Sequence, residues 1–374
     1  MTGALTSTLN LALFTLMALR PPMPRRSSPF NIQFALGWWI NEMPFLGLCW
    51  LFAATIGTLA DPRPGFTWWL VAGLSALDAV LLGWIAARAR SVRPVLTEAF
   101  RAAYGPDGVP RYTRAAWWRF VLPIISWRPD VRRIRNRRYG PSRRGNRLDV
   151  YVSQRRNRHS PRSVIDAPVL VYVHGGGFVM GNKMFGARPL LYRLAARGWV
   201  CVSIDYRLLR VRYEDQLADV CAALAWIRAS VQSFGGNPDT LFVAGGSAGA
   251  HLAATAALSD AADPEVRSAI RGVIGLYGYY GQVGGAGVAP ASPHDSVRAD
   301  APPFLILHGT LDTLVLHREA RAFADRLAAV SEQPVVYAEL PATHHNFDFF
   351  QSPRFHIIAD AIVRFTELAR RPDR

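Results

Sequence analysis

Cysteine is scarce in this sequence, with only three in 374 residues. Cys49, Cys201 and Cys221 each lie in an apolar stretch, where a free thiol usually behaves as a small buried hydrophobic group. Their number and spacing match neither a disulfide framework nor a zinc site. The sequence therefore excludes a small disulfide-stapled domain and a cysteine-ligated metal centre, and it predicts three buried free thiols.

Lysine is almost absent, because Lys183 is the only one and nearly all of the 43 basic residues are arginines. We attribute this bias to the base composition of the gene rather than to chemistry. The formal net charge of +16 is unevenly distributed. Residues 111–162 hold sixteen arginines against two acidic residues, Asp130 and Asp149, and the rest of the chain is close to neutral.

Two long apolar runs occupy the N-terminal third. Residues 35–60 contain one charged residue, Glu42, and residues 66–87 also contain one, Asp78. Roughly 20 apolar residues are needed to cross a bilayer, so both runs are long enough. The polar residues 61–65 between them include two prolines and form a tight turn. We therefore predict a transmembrane hairpin with helices over 35–60 and 66–87.

Tryptophan is concentrated in the same region, since nine of the eleven tryptophans precede residue 130. The pairs Trp38-Trp39 and Trp68-Trp69 lie near the ends of the runs, as in the aromatic belts of membrane proteins. The two carboxylates in the runs oppose this interpretation, because a carboxylate in lipid is costly unless it is protonated or paired. The alternative is a helical cap buried on a soluble core.

Residues 5–19 are apolar but too short to span comfortably, and they lack the charged start and the cleavage site of a signal peptide. We predict an interfacial or packing helix there. Arginines flank both outer ends of the hairpin, and only Arg63 lies in its turn. The positive-inside rule then places both ends, and everything after residue 88, in the cytoplasm. This predicts an inner-membrane protein whose C-terminal region is cytoplasmic.

Residues 94–147 mix arginines with aromatic side chains. Arginines on lipid headgroups and tryptophans at the interface suit an anionic membrane surface, so we predict a connector that binds membrane lipids there. Nucleic acid is the rival partner for such a composition, but no recognisable binding module accompanies it, and we expect no nucleic acid. A plain solvated linker is a further alternative. The predicted organisation is a membrane region over 1–93, this connector, and a catalytic domain over 148–374.

From residue 148 onwards, short apolar strands alternate with helical segments. Such alternation predicts an α/β fold with a mainly parallel sheet covered by helices on both faces. Binding sites in such sheets lie at the carboxyl ends of the strands. The predicted strands are 148–152, 168–173, 200–204, 241–244, 273–276, 304–307 and 335–338.

Two glycine-rich motifs follow predicted strands. Gly245-Gly-Ser-Ala-Gly249 has the G-x-S-x-G spacing that puts a serine on a strained strand-to-helix turn, although the pattern alone fits an ordinary glycine-rich turn equally well. His174-Gly-Gly-Gly-Phe178 follows strand 168–173, and its glycines leave backbone N–H groups free to bind an oxyanion. Together the two motifs indicate nucleophilic catalysis by Ser247.

An acid and a base follow later strands. Asp312 lies just beyond strand 304–307, and His344 and His345 lie just beyond strand 335–338. The chain order serine, aspartate, histidine is the order used by α/β-hydrolases. Either histidine could be the base by position alone.

The two glycine motifs together resemble those of serine esterases with the α/β-hydrolase fold, in the hormone-sensitive-lipase branch of carboxylesterases. Asp205-Tyr-Arg-Leu208 and the turn at 234–239 match that group as well. The serine motif is also similar to those of prenylcysteine methylesterase-like and feruloyl-esterase-like relatives. The resemblance covers roughly residues 148–370 and none of the N-terminal third.

This resemblance implies the roles of the polar residues. Ser247 corresponds to the nucleophile and Asp312 to the acid of a catalytic triad. His345 is the expected base, because His345-Asn-Phe347 fits the H-x-F pattern of the family better than His344 does.

The oxyanion donors implied in the same way are the backbone N–H groups of Gly176, Gly177 and Ala248. His174 is expected to brace the glycine loop, and Asp205 to be a structural carboxylate at a strand end. No metal and no cofactor are required by this chemistry.

The sequence thus predicts a membrane-associated serine carboxylesterase or lipase that hydrolyses small-molecule or lipid esters through an acyl-enzyme. An amidase or formamidase would use the same residues, and a catalytically dead, membrane-tethered binding protein is a third possibility. The chain departs from the family in a short, glycine-rich stretch at 278–287 and in its N-terminal region, which replaces the usual cap. Delivery of an acyl chain from the bilayer is one hypothesis consistent with that replacement.

Overall fold

The computed structural model describes residues 2–27, 31–60, 65–154, 166–283 and 292–370. Within these ranges eight strands form one sheet: β1 Val131–Arg138, β2 Arg147–Ser153, β3 Ala167–Val173, β4 Val200–Ile204, β5 Gly236–Gly246, β6 Ile270–Leu276, β7 Phe304–Gly309 and β8 Val335–Leu340. The helices are α1 Thr2–Leu19, α2 Ile32–Glu42, α3 Pro44–Leu59, α4 Phe66–Arg88, α5 Val92–Tyr104, α6 Trp118–Val121, α7 Arg188–Ala196, α8 Tyr213–Ser230, α9 Ala248–Leu258, α10 Pro264–Ser268, α11 His317–Val330 and α12 Pro353–Leu368. Residues 61–64 of the predicted turn and the glycine-rich residues 284–287 lie outside the described ranges.

The strands lie in the order β1-β2-β4-β3-β5-β6-β7-β8. The pairs β1–β2 and β2–β4 are antiparallel, and every later pair is parallel. Each strand predicted from the sequence overlaps an observed one. The predicted mainly parallel sheet is therefore confirmed, with two antiparallel pairings at one edge.

Helices cover both faces of the sheet, as predicted. On β3, the side chains of Val169, Val171 and Val173 join a core with α8, α9 and α11. Leu170 and Tyr172 point to the opposite face and join a second core with α5, α7 and α12. This alternation is the period of two expected for a strand that is buried on both sides.

Part of the predicted 94–147 connector belongs to the catalytic fold. Leu96 and Phe100 of α5, like Val92 just before the connector, are fully buried against the second face of the sheet. Strand β1 is an edge strand that pairs with β2. Strand β1 was not predicted from the sequence because its eight residues include five arginines and only two apolar residues. An edge strand tolerates this composition, since its outward side chains stay in water.

The apolar run 35–60 forms two helices instead of one. Helices α2 and α3 meet at Met43 with a bend of 92°. The break has a local cause, because Pro44 has no N–H group and disfavours a helical backbone at the residue before it. Met43 accordingly has φ −126° and ψ 50°. By length and composition, the two helices together could form at most a bent span.

The run 66–87 corresponds to α4, which is long and apolar enough to cross a membrane. This helix buries a single stripe against the rest of the protein, made of Val71, Ser75, Asp78, Leu82 and Ile85. Its other sides carry exposed large apolar residues: Phe66, Trp69, Leu70, Leu77, Val80 and Trp84. Helix α1 packs against α2, α3 and α4, which agrees with a packing helix at 5–19.

The three cysteines are free thiols, but they are not all buried as expected. Cys201 is buried in β4, and Cys221 in α8 is partly buried. Cys49 is exposed, because it lies on the outward face of α3 beside other uncovered apolar side chains such as Phe52 and Ile56. The apolar surroundings of Cys49 in the sequence therefore reflect an uncovered surface instead of a core.

Candidate active site

Ser247 lies between the end of β5 and the start of α9. Its backbone has φ 54° and ψ −121°, a conformation that L-residues rarely adopt and that the surrounding structure must hold in place. A Cβ atom at Gly245 would overlap the backbone of Gly249, and one at Gly249 would overlap the carbonyl oxygen of Val173. The two glycines of the G-x-S-x-G motif are therefore required by close backbone packing around the serine.

Asp312 and His345 are in direct contact, with His345 Nδ1 2.6 Å from Asp312 Oδ2. The other carboxylate oxygen of Asp312 accepts hydrogen bonds from the backbone N–H groups of Leu314 and Val315, each at 2.9 Å. Both side chains are buried. Because a carboxylate can only accept, Nδ1 of His345 carries the proton, and Nε2 is left to act as an acceptor.

His308 also contacts the carboxylate. Its Nε2 atom lies 3.1 Å from Asp312 Oδ2 and 2.9 Å from the carbonyl oxygen of Val315. Burial alone would raise the pKa of Asp312, but the interactions with His345 and His308 outweigh it and hold that pKa below its usual range. No role was predicted for His308 from the sequence, although its position at the end of β7, four residues before Asp312, indicates that it lies near that carboxylate.

His344 and His345 are neighbours in the sequence but have different partners. His344 Nε2 donates a hydrogen bond to the carbonyl oxygen of Ala18, at the end of α1, at 2.9 Å. Burial lowers the pKa of His344 to about 4. Of these two histidines, it is His345 that the structure brings to Asp312.

The glycine loop lies beside Ser247. Gly176 has φ 129°, and a Cβ atom there would overlap the carbonyl oxygen of Met180. Within the described residues, the N–H groups of Gly176 and Gly177 make no backbone hydrogen bond. Ala248 begins α9, where the first N–H groups of a helix have no partner inside the helix. Gly176, Gly177 and Ala248 line one cavity together with Ser247 and His345. Five of the six predicted site residues therefore lie at this cavity, and the sixth, Asp312, contacts His345 behind it.

His174 and Asp205 stand apart from this group. The His174 ring stacks on Tyr206 with centroids 4.4 Å apart, and its Nδ1 lies 2.8 Å from the carbonyl oxygen of Gly175. Burial lowers the pKa of His174 to about 4, so the ring is neutral at pH 7. Asp205 accepts hydrogen bonds from the backbone N–H and the Nζ atom of Lys183, both at 2.6 Å. Both side chains therefore support the glycine loop and the segment that follows it.

The cavity has a volume of about 640 Å³ and a mostly apolar lining. Ser27, Asn31, Phe34 and Ala35 from the N-terminal region form part of its wall, which the sequence did not predict. The other apolar lining residues are Phe178, Val179, Met180, Phe185, Tyr277, Tyr279, Val283, Leu314, Val315 and Phe349. Across the part of the chain that the structure describes, no group of three or more His, Cys, Asp or Glu residues could hold a metal ion.

Several known proteins with similar sequences or structures are named as esterases or carboxylic ester hydrolases. A family model described as BD-FAE matches residues 148–280. The probable carboxylic ester hydrolase LipM of Mycobacterium tuberculosis is 33% identical over 97% of this chain and 92% of its own length. The probable isoprenylcysteine alpha-carbonyl methylesterase ICME of Oryza sativa subsp. japonica is 37% identical over 33% of this chain and 28% of its own.

A solved structure supports the same assignment. Thermogutta terrifontis esterase 2 phosphorylated by paraoxon has a TM-score of 0.51 and 25% sequence identity, covering 64% of this chain and 92% of that one. The predicted α/β-hydrolase fold, the predicted enzyme class and the resemblance to prenylcysteine methylesterases are all confirmed by these similarities. The chain therefore belongs to the carboxylic ester hydrolases with the α/β-hydrolase fold.

Proposed function

We propose that this carboxylic ester hydrolase is a membrane-associated serine esterase or lipase that works through an acyl-enzyme. Ser247 is the nucleophile, His345 the general base, and Asp312 the carboxylate that orients the base. The observation that carries the proposal is the 2.6 Å contact between His345 and Asp312, made by a histidine that lines the same cavity as Ser247.

The first half of the reaction forms the acyl-enzyme. The Ser247 oxygen attacks the ester carbonyl carbon while its proton moves to Nε2 of His345. The bond to the alcohol oxygen then breaks, and the same proton passes to the departing alcohol. Asp312 holds the imidazole by its Nδ1–H and stabilises the imidazolium that forms between the two transfers.

The second half uses water in the place of the alcohol. A water molecule gives a proton to His345 and attacks the acyl carbon, and Ser247 leaves with that proton as the carboxylic acid is released. The N–H groups of Gly176, Gly177 and Ala248 are the proposed donors to the oxyanion in both halves. Removing one such donor typically lowers kcat by about 10²–10³-fold.

The lining of the cavity indicates the acyl part of the substrate. Phe178, Phe185, Leu314 and Phe349 offer hydrocarbon and aromatic surface next to Ser247. Their burial of an acyl chain would contribute about 0.8 kcal/mol for each CH₂ group. We therefore infer an ester with an apolar acyl chain as the substrate class.

Membrane association is supported by the surface of the N-terminal helices. Soluble monomers rarely expose contiguous apolar patches larger than a few hundred Å². Helix α4 exposes large apolar side chains on every side except its single buried stripe, and α3 exposes Phe52 and Ile56. A bilayer would cover these side chains. The distribution of arginines around the hairpin favours the cytoplasmic face of an inner membrane for the catalytic domain.

A second apolar surface continues that of α3. We name residues 117–127 the aromatic loop. Phe120 of this loop stacks on Phe45 of α3 with centroids 6.3 Å apart, and the carbonyl oxygen of Pro123 accepts a hydrogen bond from the backbone of Gln351 at 2.9 Å. The loop exposes Trp117, Trp118, Leu122, Ile124, Ile125 and Trp127.

The arginines of the connector divide into two groups. Arg128 and Arg133 form ion pairs with Asp130 and Asp149, respectively, so their positive charges are balanced within the fold. The Arg119 guanidinium lies over the Trp118 ring, 5.2 Å from its centroid, in the aromatic loop. We infer that this loop rests at the interface of an anionic membrane, with tryptophan rings at the headgroup level and arginine beside the phosphates.

The proposal is tested by the hydrolysis of p-nitrophenyl esters by the full-length protein in lipid vesicles. Ser247→Ala is expected to lower kcat by at least about 10⁴-fold, because the nucleophile of such a triad acts as a unit with its base. The variant should keep the wild-type unfolding temperature, which would show that the loss is chemical. Hydrolysis at the wild-type rate by Ser247→Ala would disprove the assignment. A parallel series of p-nitroanilides measures whether amides are cleaved as well.

A further inference from the structure

The loop that carries His345 has a strained backbone. We name residues 341–346 the histidine loop, which connects β8 to the segment before α12. Ala342 has φ 52° and Asn346 has φ 59°, so two residues with side chains adopt the left-handed conformation on either side of His345. Such conformations persist only where surrounding contacts hold them.

The contacts that hold Ala342 come from outside the loop. Its carbonyl oxygen accepts hydrogen bonds from Asn41 Nδ2 at 3.1 Å and from Arg354 Nη2 at 2.9 Å. Asn41 belongs to α2 in the N-terminal region, and Arg354 belongs to α12. The histidine loop has a further contact with the N-terminal region, the hydrogen bond from His344 to the carbonyl oxygen of Ala18 in α1.

Glu42 fixes both donors in place. Its carboxylate accepts from Arg354 Nη1, from Ser352 Oγ at 2.7 Å and from Asn41 Nδ2 at 3.1 Å. Glu42 and Arg354 are fully buried, so the pair sits in a low-dielectric interior where loss of one partner would leave a charge unpaired. Glu42 ends α2 at the bend before α3, which explains how a carboxylate occurs inside a long apolar run.

Arg88, the last residue of α4, connects Asn41 to the end of α1. Its Nη2 atom donates to Asn41 Oδ1 and to the carbonyl oxygen of Ala18, both at 2.7 Å. The ends of α1, α2 and α4 are thereby joined at one point, directly against the histidine loop. Of these three helices, α4 carries part of the exposed apolar surface described above.

We propose that Asn41 and Glu42 are positioning residues for the base: through Ala342 they hold the histidine loop in the conformation that places His345 between Asp312 and the cavity. This inference rests on the proposed function of His345. Neither residue lines the cavity, so both act through the loop and not on the substrate. The N-terminal helices are then part of the catalytic apparatus as well as a membrane anchor.

The experiment measures kcat and KM for p-nitrophenyl butyrate with the full-length protein in vesicles. Asn41→Ala removes a donor to Ala342, and His344→Phe removes the donor to Ala18. Each is expected to lower kcat by about 10–100-fold with little change in KM, because displacement of a catalytic group by about 1 Å costs roughly 10²-fold. His344→Gln keeps a side-chain donor near the position of Nε2 and is expected to restore kcat.

Asp360→Asn is the matched control. Asp360 lies in α12 like Arg354 and forms a buried ion pair, but with Arg193 of α7 and away from the histidine loop. This variant is expected to unfold at a lower temperature and to keep its kcat. Glu42→Gln leaves Arg354 buried without a charged partner, and this variant could fail to fold for that reason alone. In that case the kcat values of Asn41→Ala and His344→Phe test the positioning role.

The outcomes separate this inference from the proposed function. A wild-type protein without esterase activity would overturn both. An active wild type with Asn41→Ala and His344→Phe variants that keep kcat would overturn the positioning role alone. Equal losses of kcat in Asp360→Asn and Asn41→Ala would also overturn it, because a general loss of stability would then explain the effect.

Discussion

The ring of Phe34 lies edge-on to the imidazole of His345, with the ring centroids 6.0 Å apart. Phe34 also stacks on Trp38, which in turn stacks on Phe350 beyond the histidine loop. Helix α2 therefore reaches His345, the proposed general base, and forms one wall of the cavity. The N-terminal region, predicted from sequence as a membrane hairpin in the place of a cap, also contributes to the site itself.

The apolar cavity predicts a dependence on acyl length. At about 0.8 kcal/mol for each buried CH₂ group, kcat/KM should rise about fourfold per carbon from acetate until the cavity is full. Phe34→Ala enlarges the cavity and is expected to shift the optimum to longer or branched acyl chains. The p-nitrophenyl ester series measures both effects. Phe52→Ala, on the exposed face of α3, is the control, and an identical acyl profile for Phe34→Ala would contradict the assignment of this wall.

The Asp312–His345 contact predicts the effect of removing the charge on the carboxylate. Asp312→Asn should lower kcat by about 10⁴-fold, because an amide no longer fixes the tautomer or stabilises the imidazolium. Steady-state kinetics on a short ester measures the loss. Asp149→Asn is the control, since it breaks a buried ion pair with Arg133 at the far edge of the sheet and should leave kcat unchanged. Comparable losses in the two variants would exclude the orienting role of Asp312.

Three buried histidines predict acid lability. Burial lowers the pKa of His174 and His344 to about 4 and that of His251 to about 3, against an ordinary value of 6.5. Below pH 6.5 the unfolded chain binds protons that the folded protein excludes, so the free energy of unfolding falls as the pH drops towards 4. Each such histidine contributes a slope of up to about 1.4 kcal/mol per pH unit.

His251→Gln tests this dependence away from the cavity. His251 lies in α9, with Nε2 3.0 Å from the hydroxyl of Tyr213 and Nδ1 3.2 Å from the carbonyl oxygen of Tyr279. Removal of this group should make the fall in stability between pH 6.5 and 4 shallower, whatever the change in stability at pH 7. Chemical unfolding at a series of pH values gives the slope. An unchanged slope would show that His251 is protonated in the folded protein.

Cys49 offers a direct probe of the membrane interface. It is exposed on α3, whereas burial raises the pKa of the Cys221 thiol to about 12 and raises that of Cys201 further. Because the thiolate is the reactive form, a maleimide fluorophore should label Cys49 selectively in the native protein. In vesicles, the attached fluorophore should be quenched by doxyl-labelled lipids and shielded from iodide. Free quenching by iodide would contradict the insertion of α3.

The catalytic domain was largely predictable because each of its signals is local. The serine motif, the glycine loop, Asp312 and His345 each directly follow an apolar strand, and parallel strands bring their carboxyl ends to one edge. The resemblance to a known family then distinguished His345 from His344, which position alone could not do.

The remaining features depend on contacts between distant parts of the chain. The ion pair of Glu42 with Arg354 and the edge-on contact of Phe34 with His345 join residues that are far apart in the sequence. The hydrophobic periodicity of a sequence does not predict such contacts. Strand β1 was missed because an edge strand needs few apolar residues. Pro44 favours a break at Met43, whereas the continuous apolar composition of 35–60 favours a single helix, so the two local signals conflict.

The central claim is that Ser247 is the nucleophile, and a fluorophosphonate probe tests it most directly. The probe reacts covalently with an activated serine, and mass spectrometry of the digested full-length protein identifies the labelled residue. We expect one adduct, on Ser247, that is absent from Ser247→Ala and strongly reduced in Asp312→Asn. An adduct on another residue, or no adduct in a protein that hydrolyses esters, would contradict the account.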